Sequence, residues 1–484
     1  AVFTKYMNKV LEVSTDELRP DGTSGYAVTE PGVYYRDFEK ETLAKDLILP
    51  SYPASRELCA LGGIVANNSG GERTLEYGKT ERYIESMDVV LSDGSLATFG
   101  PLSPAELAQK KELPGLEGDI YRGMDKLLTE NAALIEMHRP KVSKNSAGYA
   151  LWSVKKAAGT APEGSLSPQD ETFNLSKLIC GSQGTLALWT KATLRLVKPK
   201  EHRAMLVVFL SDLNILPEIV NRVLPLHPES FESYDDQTFT LAVKFLPEML
   251  AQMGFWKAAR LGVSFLPEAE LVATGGVPKL ILMAEFAEDS IEEADRKAQA
   301  AHDALADLPV KLKIEKDEKE SEKYWIVRRE SFSLLRKNLH GLYAAPFIDD
   351  FVVPPATYPQ FLPELNALLA QYKGRFIYTI AGHIGNGNFH IIPLMDLNKP
   401  DVRQIILELA PKVYDMVIRY GGTTTGEHND GIIRTPYLGK LFGPEMLALF
   451  EETKKIFDPL DLFNPGKKVG GTMEDIRKYL LTKS

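Results

Sequence analysis

Residues 381–392 read AGHIGNGNFHII and hold His383 and His390, two of the chain's eight histidines. Positions seven apart share a face on a helix, but on one strand they point to opposite faces because the side-chain period is two. Gly382, Gly385 and Gly387 weigh against a helix, since each costs about 1 kcal/mol relative to alanine in a helix interior. The pattern therefore predicts a strand–turn–strand hairpin that brings two imidazoles within reach of one ligand. Taken alone, the stretch fits equally a tight turn whose histidines serve the core.

Outward from this hairpin, TTTGEHNDG (423–431) places Glu427 and His428 in a loop flanked by glycines. Two neutral imidazoles and one carboxylate form a common protein ligand set for a catalytic divalent cation, with positions left open for substrate. A polar surface turn is the competing reading. In YWIVRRESF (324–332), Arg328 and Arg329 follow Trp325, and a guanidinium there can grip a carboxylate bidentately. Solvated helix charges would look the same.

The N-terminal part is rich in glycine. PSYPASRELCALGGIVANNSGG (50–71) combines Gly62, Gly63, Gly70 and Gly71 with small polar residues, so backbone N–H groups can approach a phosphate. It matches neither the dinucleotide fingerprint nor the P-loop. Its ligand stays unidentified by spacing, and plain tight turns fit as well. CGSQGTLALWT (180–190) has the same character.

A chain of 484 residues is too long for one core and implies roughly two or three domains. With 44% hydrophobic and 25% charged residues, the composition is that of an ordinary globular protein. A net charge of −10 argues against a nucleic-acid footprint. Cys59 and Cys180, the two cysteines, sit in apolar stretches and are expected as free buried thiols. Two are too few for an Fe–S cluster held by four cysteines of this chain. No run approaches the roughly 20 apolar residues of a membrane span, and AVFTKYMNKV lacks the regions of a signal peptide. A cytoplasmic location is expected, with a peripheral contact at the inner membrane still compatible.

SMDVVLSDGSLATFG (86–100) reads as a hairpin around Asp93–Gly94, and residues 104–138 read as helical. After KPKEHR (198–203), β-rich runs such as AMLVVFLS and KLILMAEFA alternate with amphipathic helices such as 288–307, which suggests a separate α+β or α/β unit. Further helices are expected near 400–420 and in the tail 444–484.

In this order along the chain, YMNKVLEV, VTEPGV, ALGGIVANNSGG, EYGKTERYIESMDVVLSDG, NSAGYAL, GSQGTLALWTKATLRL, YWIVRRESF, GHIGNGNFH, GEHNDGIIRTPYL and FDPLDLFNPGK resemble the motifs of one flavoprotein family. It is the vanillyl-alcohol oxidase type, in its subgroup of FAD-linked D-2-hydroxy acid dehydrogenases: D-lactate, glycolate and D-2-hydroxyglutarate enzymes. The resemblance implies an α+β chain: an FAD-binding domain over 1–200, an α+β cap on an antiparallel sheet over 201–440, and a helical return to the FAD domain over 441–484. The family opens with a glycine-rich pyrophosphate loop, and this chain begins downstream of it, so the FAD domain is expected to be N-terminally incomplete.

By the same resemblance, FAD would touch Pro53, Ala54, Ser55, Gly62, Gly63, Asn67, Asn68, Ser69, Gly70, Gly181, Gly184, Thr185, Leu186 and Asn464. His383, His390 and Glu427 would hold Zn²⁺ or Mn²⁺. His428 would be the general base, Arg328 the carboxylate clamp with Arg329 as alternative, and Asn388 a further catalytic residue. Asn386 and Gln183 stand where the family usually has Asp and Glu, and each swap removes a charge. LYAAPFIDDFVV (342–353) contains no lysine to pair a distal carboxylate, which favours a 2-hydroxy monocarboxylate, and GEHNDG (426–431) leans toward the D-lactate enzymes. The implied reaction is oxidation to the 2-oxo acid with hydride transfer to flavin N5. The acceptor beyond the flavin would be quinone, an electron-transfer flavoprotein or an Fe–S subunit, and a homodimer is compatible. Glycolate or D-2-hydroxyglutarate as substrate, a metal-dependent hydrolase, and a flavin-incomplete subunit of a larger redox complex are the alternatives.

Overall fold

The structure, a computed structural model, describes residues 5–16, 18–19, 22–156, 172–236, 238–239, 276–316, 319–328, 341–396 and 398–480. The chain divides into two compact units: Ala1–Pro199 with Thr423–Tyr479, and Lys200–Gly422 with Leu480–Ser484.

The first unit is built on a five-stranded antiparallel sheet. Its strands are β1 (Val10–Thr15), β2 (Gly25–Thr29), β3 (Ile84–Val90), β4 (Leu96–Phe99) and β5 (Leu188–Leu196), in the order β1-β2-β5-β3-β4. Alternation of buried and half-buried positions along GYAVT explains why β2 is a strand with one packed face. The predicted β3–β4 hairpin forms, and Asp93 Oδ1 accepts from Ser95 N at 2.9 Å to close its turn. The helical stretch 104–138 is three helices, not one: Pro104–Lys111, α1 (Gly115–Glu130) and Ala132–Met137. The first starts at a capping box made by Ser103 and Glu106. From the tail comes α2 (Leu438–Phe457), kinked at Gly443 just before Pro444. Phe457 and Tyr121 each meet Phe99 edge to face at about 6 Å, closing the core between α1, α2 and the sheet.

The return to the first unit occurs at Thr423, earlier than the boundary at 441 expected from sequence. Polar contacts account for it: Thr423 Oγ1 donates to Asn145 Oδ1 at 2.6 Å, and Ser146 N donates to Thr425 O at 3.0 Å. Glu427 and His428 therefore belong to the first unit.

The second unit carries an antiparallel sheet of eight strands, as expected of the cap. It runs β9-β6-β8-β7-β10-β11, where β6 is His202–Leu210, β7 Ser230–Asp235, β8 Leu280–Glu288, β9 Lys311–Glu315, β10 Ile377–His383 and β11 Asn388–Met395. Tyr343–Ala344 and Phe351–Val352 both pair with β11. Strand β8 is buried along almost its whole length, as a strand covered on both faces must be. One cover is the helix Ile291–Leu305, which packs on β6 and β8. The other includes Tyr324, Trp325 and Val327, which cluster with Met205, Val207, Phe209, Ile281 and Met283.

Candidate cation and cofactor sites

In the second unit, β10 and β11 form the predicted hairpin, with His383 opposite Asn388 and Ala381 opposite His390. The turn needs Gly387: its φ is +73°, and a Cβ there would lie 1.8 Å from Val353 O. This register brings the imidazoles together, edge to face, with ring centroids 5.2 Å apart.

Each ring is held by a carboxylate. His383 Nδ1 lies 2.5 Å from Glu232 Oε1, and His390 Nδ1 lies 3.1 Å from Asp349 Oδ1. A carboxylate that accepts from Nδ1–H fixes the tautomer with Nε2 as the lone-pair nitrogen, and the same contact orients a metal-bound imidazole and raises its basicity. Both His–carboxylate pairs are largely buried. Asp350 adds a carboxylate oxygen within 4.8 Å of a His390 ligand atom. Its backbone sits at φ +70°, and its Oδ1 accepts from Asn388 Nδ2 at 3.1 Å. Asn388, expected among the catalytic residues, is fully buried, and its Nδ2 also donates to Phe351 O at 3.3 Å.

Arg328 lies on the helical segment 319–328 and places Nη2 3.2 Å from Glu232 Oε2. The expected clamp is thus paired with the carboxylate that also holds His383. Arg329 lies outside the described residues. Glu232, Asp349 and Asp350 escaped the sequence reading. Glu232 is 151 residues from His383 in an ordinary strand, although the paired acids of FIDDFVV lay in view.

The first unit holds Glu427, His428 and the glycine segments. Glu427 forms a buried ion pair with Lys144 Nζ, while His428 is exposed. Their loop is fastened to the glycine segments: Asn67 Nδ2 donates to Glu427 O at 2.6 Å, Asn429 Nδ2 to Gly181 O at 3.0 Å, and Gly431 N to Gln183 Oε1 at 3.0 Å. Lys79 Nζ donates to Gly426 O at 2.7 Å, and Lys468 Nζ pairs with Asp430 at 2.9 Å.

The residues expected at FAD divide by geometry. A Cβ built on Gly63 or Gly184 would meet nothing within 4 Å, so backbone is open there to a bulky group, and Gly184 at φ +68° admits little else. Ala54 and Ser55 are exposed, Pro53 is half-buried, and the exposed Asn464 donates from Nδ2 to Gln183 O at 2.8 Å. Gly62 and Gly70 instead permit close packing, the latter 2.6 Å in Cβ distance from Thr74 Oγ1, while Gly181 is half-buried beside Asn68. Ser69 is buried and passes its carbonyl to Thr80 Oγ1 at 2.9 Å. Asn68 is turned to Glu81, Thr185 donates to Ser182 O, and Leu186 is fully buried. These last three are engaged or packed away within the protein. A cavity of about 300 Å³ opens beside Asn68 and Gly181, with Lys79, Arg82 and Arg139 in its wall. The open backbone at Gly63 and Gly184 and, separately, a cavity that presents Arg82 and Arg139 are features compatible with a phosphate-bearing flavin nucleotide. Among the described residues, no helix is long and apolar enough to cross a membrane.

Residues 2–100 match the FAD binding domain model, and residues 199–468 match the C-terminal domain of FAD linked oxidases. The chain is 26% identical to D-2-hydroxyglutarate dehydrogenase of Pantoea ananatis, covering 96% of this chain and 43% of that one. It is 23% identical to glycolate oxidase subunit GlcD of Bacillus subtilis (99% and 80% covered) and 26% identical to D-lactate dehydrogenase of Archaeoglobus fulgidus (94% and 79%). The chain spans less than half the length of the D-2-hydroxyglutarate dehydrogenase relative. Its fold is that of 4-ethylphenol oxidase from Gulosibacter chungangensis, with TM-score 0.61 at 16% identity over 97% of this chain and 80% of that one. Matched over more than half its length to their C-terminal domain, the chain belongs to the FAD linked oxidases.

Proposed function

We propose that the chain oxidises a D-2-hydroxy acid, D-lactate above all, to the 2-oxo acid. The observation that carries this reading is the imidazole pair His383–His390, with both Nδ1 atoms engaged by carboxylates. That arrangement prepares two Nε2 lone pairs for a divalent cation. Glu427 completes the ligand set in this proposal, on the strength of its motif alone. A cation held by these residues supplies Lewis-acid polarisation of a bound hydroxyl, and FAD supplies the two-electron acceptor.

This chain's own residues do the rest. Arg328 receives the substrate carboxylate, and a planar guanidinium suits a two-point grip on it. His428 takes the hydroxyl proton, and an exposed imidazole suits that role because histidine is the side chain that exchanges a proton near neutral pH. The open backbone at Gly63 and Gly184 receives the flavin nucleotide. A monocarboxylate is proposed because 342–353 offers no lysine for a second carboxylate, and D-lactate is placed before glycolate on the GEHNDG motif (426–431). With FAD bound, the electron acceptor proposed for the chain is a quinone, an electron-transfer flavoprotein or an Fe–S subunit.

The test is a panel of D-lactate, glycolate and D-2-hydroxyglutarate with an artificial electron acceptor, run before and after chelation and after return of Zn²⁺ or Mn²⁺. Turnover fastest on D-lactate, lost with the metal and regained with it, supports the reading. Bound flavin that none of the three acids bleaches would overturn it.

A further inference from the structure

Glu232 is almost fully buried, and its two oxygens reach different partners: Oε1 meets His383 Nδ1 at 2.5 Å, and Oε2 meets Arg328 Nη2 at 3.2 Å. Strand register explains the first contact. Ser233 lies opposite Gly382 and Tyr234 opposite Ala381, so Glu232 is the next neighbour across from His383. The second contact comes from the segment 319–328 lying over the same face of the sheet, where Trp325 Nε1 also donates to Glu285 Oε1 at 3.1 Å.

We propose that Glu232 is a positioning residue that couples the cation site to the carboxylate clamp, so that a cation on His383 and an anion on Arg328 each strengthen the binding of the other. The proposal rests on the roles given above to His383 and Arg328. One negative charge is shared between an imidazole N–H and a guanidinium. A dication on His383 Nε2 polarises the ring, strengthens the Nδ1–H···Oε1 bond, and draws carboxylate charge away from Arg328. The guanidinium then offers more of its charge to an incoming carboxylate. The reverse holds by linkage: an anion on Arg328 leaves Glu232 more basic toward His383, and the imidazole becomes a better ligand. Burial of Glu232 and His383 limits the screening of this transfer by water.

The experiment is calorimetric titration of Mn²⁺ into the metal-stripped flavoprotein, with and without saturating propionate. Propionate has a carboxylate but no 2-hydroxyl, so it engages the clamp without closing a chelate on the ion. In the wild type, propionate is expected to tighten Mn²⁺ binding about fivefold or more, the lower end of common coupling factors. Glu232→Gln keeps the shape but removes the charge; Mn²⁺ affinity should fall about 10–100-fold, and the propionate effect should vanish. Arg328→Gln lies at a partly exposed position and tests the bridge from its other end: Mn²⁺ still binds, while propionate no longer tightens it. Propionate tightening that survives in either variant would overturn the coupling and leave the cation site standing. Wild-type protein that binds no Mn²⁺ would overturn both.

Discussion

His390 Nδ1 lies 3.1 Å from Asp349 Oδ1, 41 residues earlier in the chain, on the segment whose Phe351–Val352 pairs with β11. The imidazole is therefore aimed by the strand that carries it and by the segment beside that strand. Replacing Asp349 by Asn should preserve the hairpin and lower affinity for Zn²⁺ or Mn²⁺ by about 10–100-fold. Replacing either His383 or His390 by Ala should remove stoichiometric metal. Elemental analysis after dialysis, with circular dichroism to confirm folding, measures both.

His428 stands exposed beside a buried acid. If it accepts the substrate proton, His428→Ala should cut turnover by about 10²–10⁴ and leave bound flavin unchanged. Turnover within a few fold of the wild type would remove His428 from the mechanism.

Lys144 and Glu427 are both almost fully buried and ion-paired. Lys144→Met strands the carboxylate without its cation, a loss that costs about 3–5 kcal/mol where the remaining charge is buried. The first unit should then melt earlier, and differential scanning calorimetry should show that shift. A lysine-to-arginine change keeps the charge and should recover part of the loss.

Asp235 accepts from Thr238 N and Ile380 N, yet burial pushes its carboxyl up to about 6. Below the ordinary value near 4, folded and unfolded chains both carry the proton and the group is neutral to stability. As pH rises to about 6 the unfolded chain ionises first, so this residue's contribution to stability falls across that window and is level above it, by about 3 kcal/mol in all. Melting temperatures of the wild type and Asp235→Asn from about pH 4 to 7 should differ in slope only within that window.

Burial also raises both thiols, Cys59 to about 11 and Cys180 further still. The thiolate is the reactive species, so neither should react quickly with a thiol-specific chromogen at neutral pH in the folded protein. Unfolding should release two equivalents.

The hairpin was legible from AGHIGNGNFHII because glycine spacing and the strand period leave one arrangement that unites the two histidines. The β3–β4 hairpin was legible from Asp93–Gly94 for the same local reason. Partners supplied by remote segments were not. Glu232 is one acid in an ordinary β-run, and only the pairing of β7 with β10 brings it to His383. Arg328 was recognised as a guanidinium of interest, but its engagement with Glu232 depends on how the 319–328 segment lies on the sheet. The boundary at 423 was hidden as well, because polar contacts to Asn145 and Ser146 fix it, not a change in composition.

The fastening of the 423–431 loop to Asn67, Gly181 and Gln183 has a mechanical result. The glycine segments and the arm that carries His428 are thereby tied into one splint. If the glycine segments receive the flavin and His428 the proton, as proposed, loosening a single tie, such as Asn429, should change both the flavin spectrum and the turnover that depends on His428.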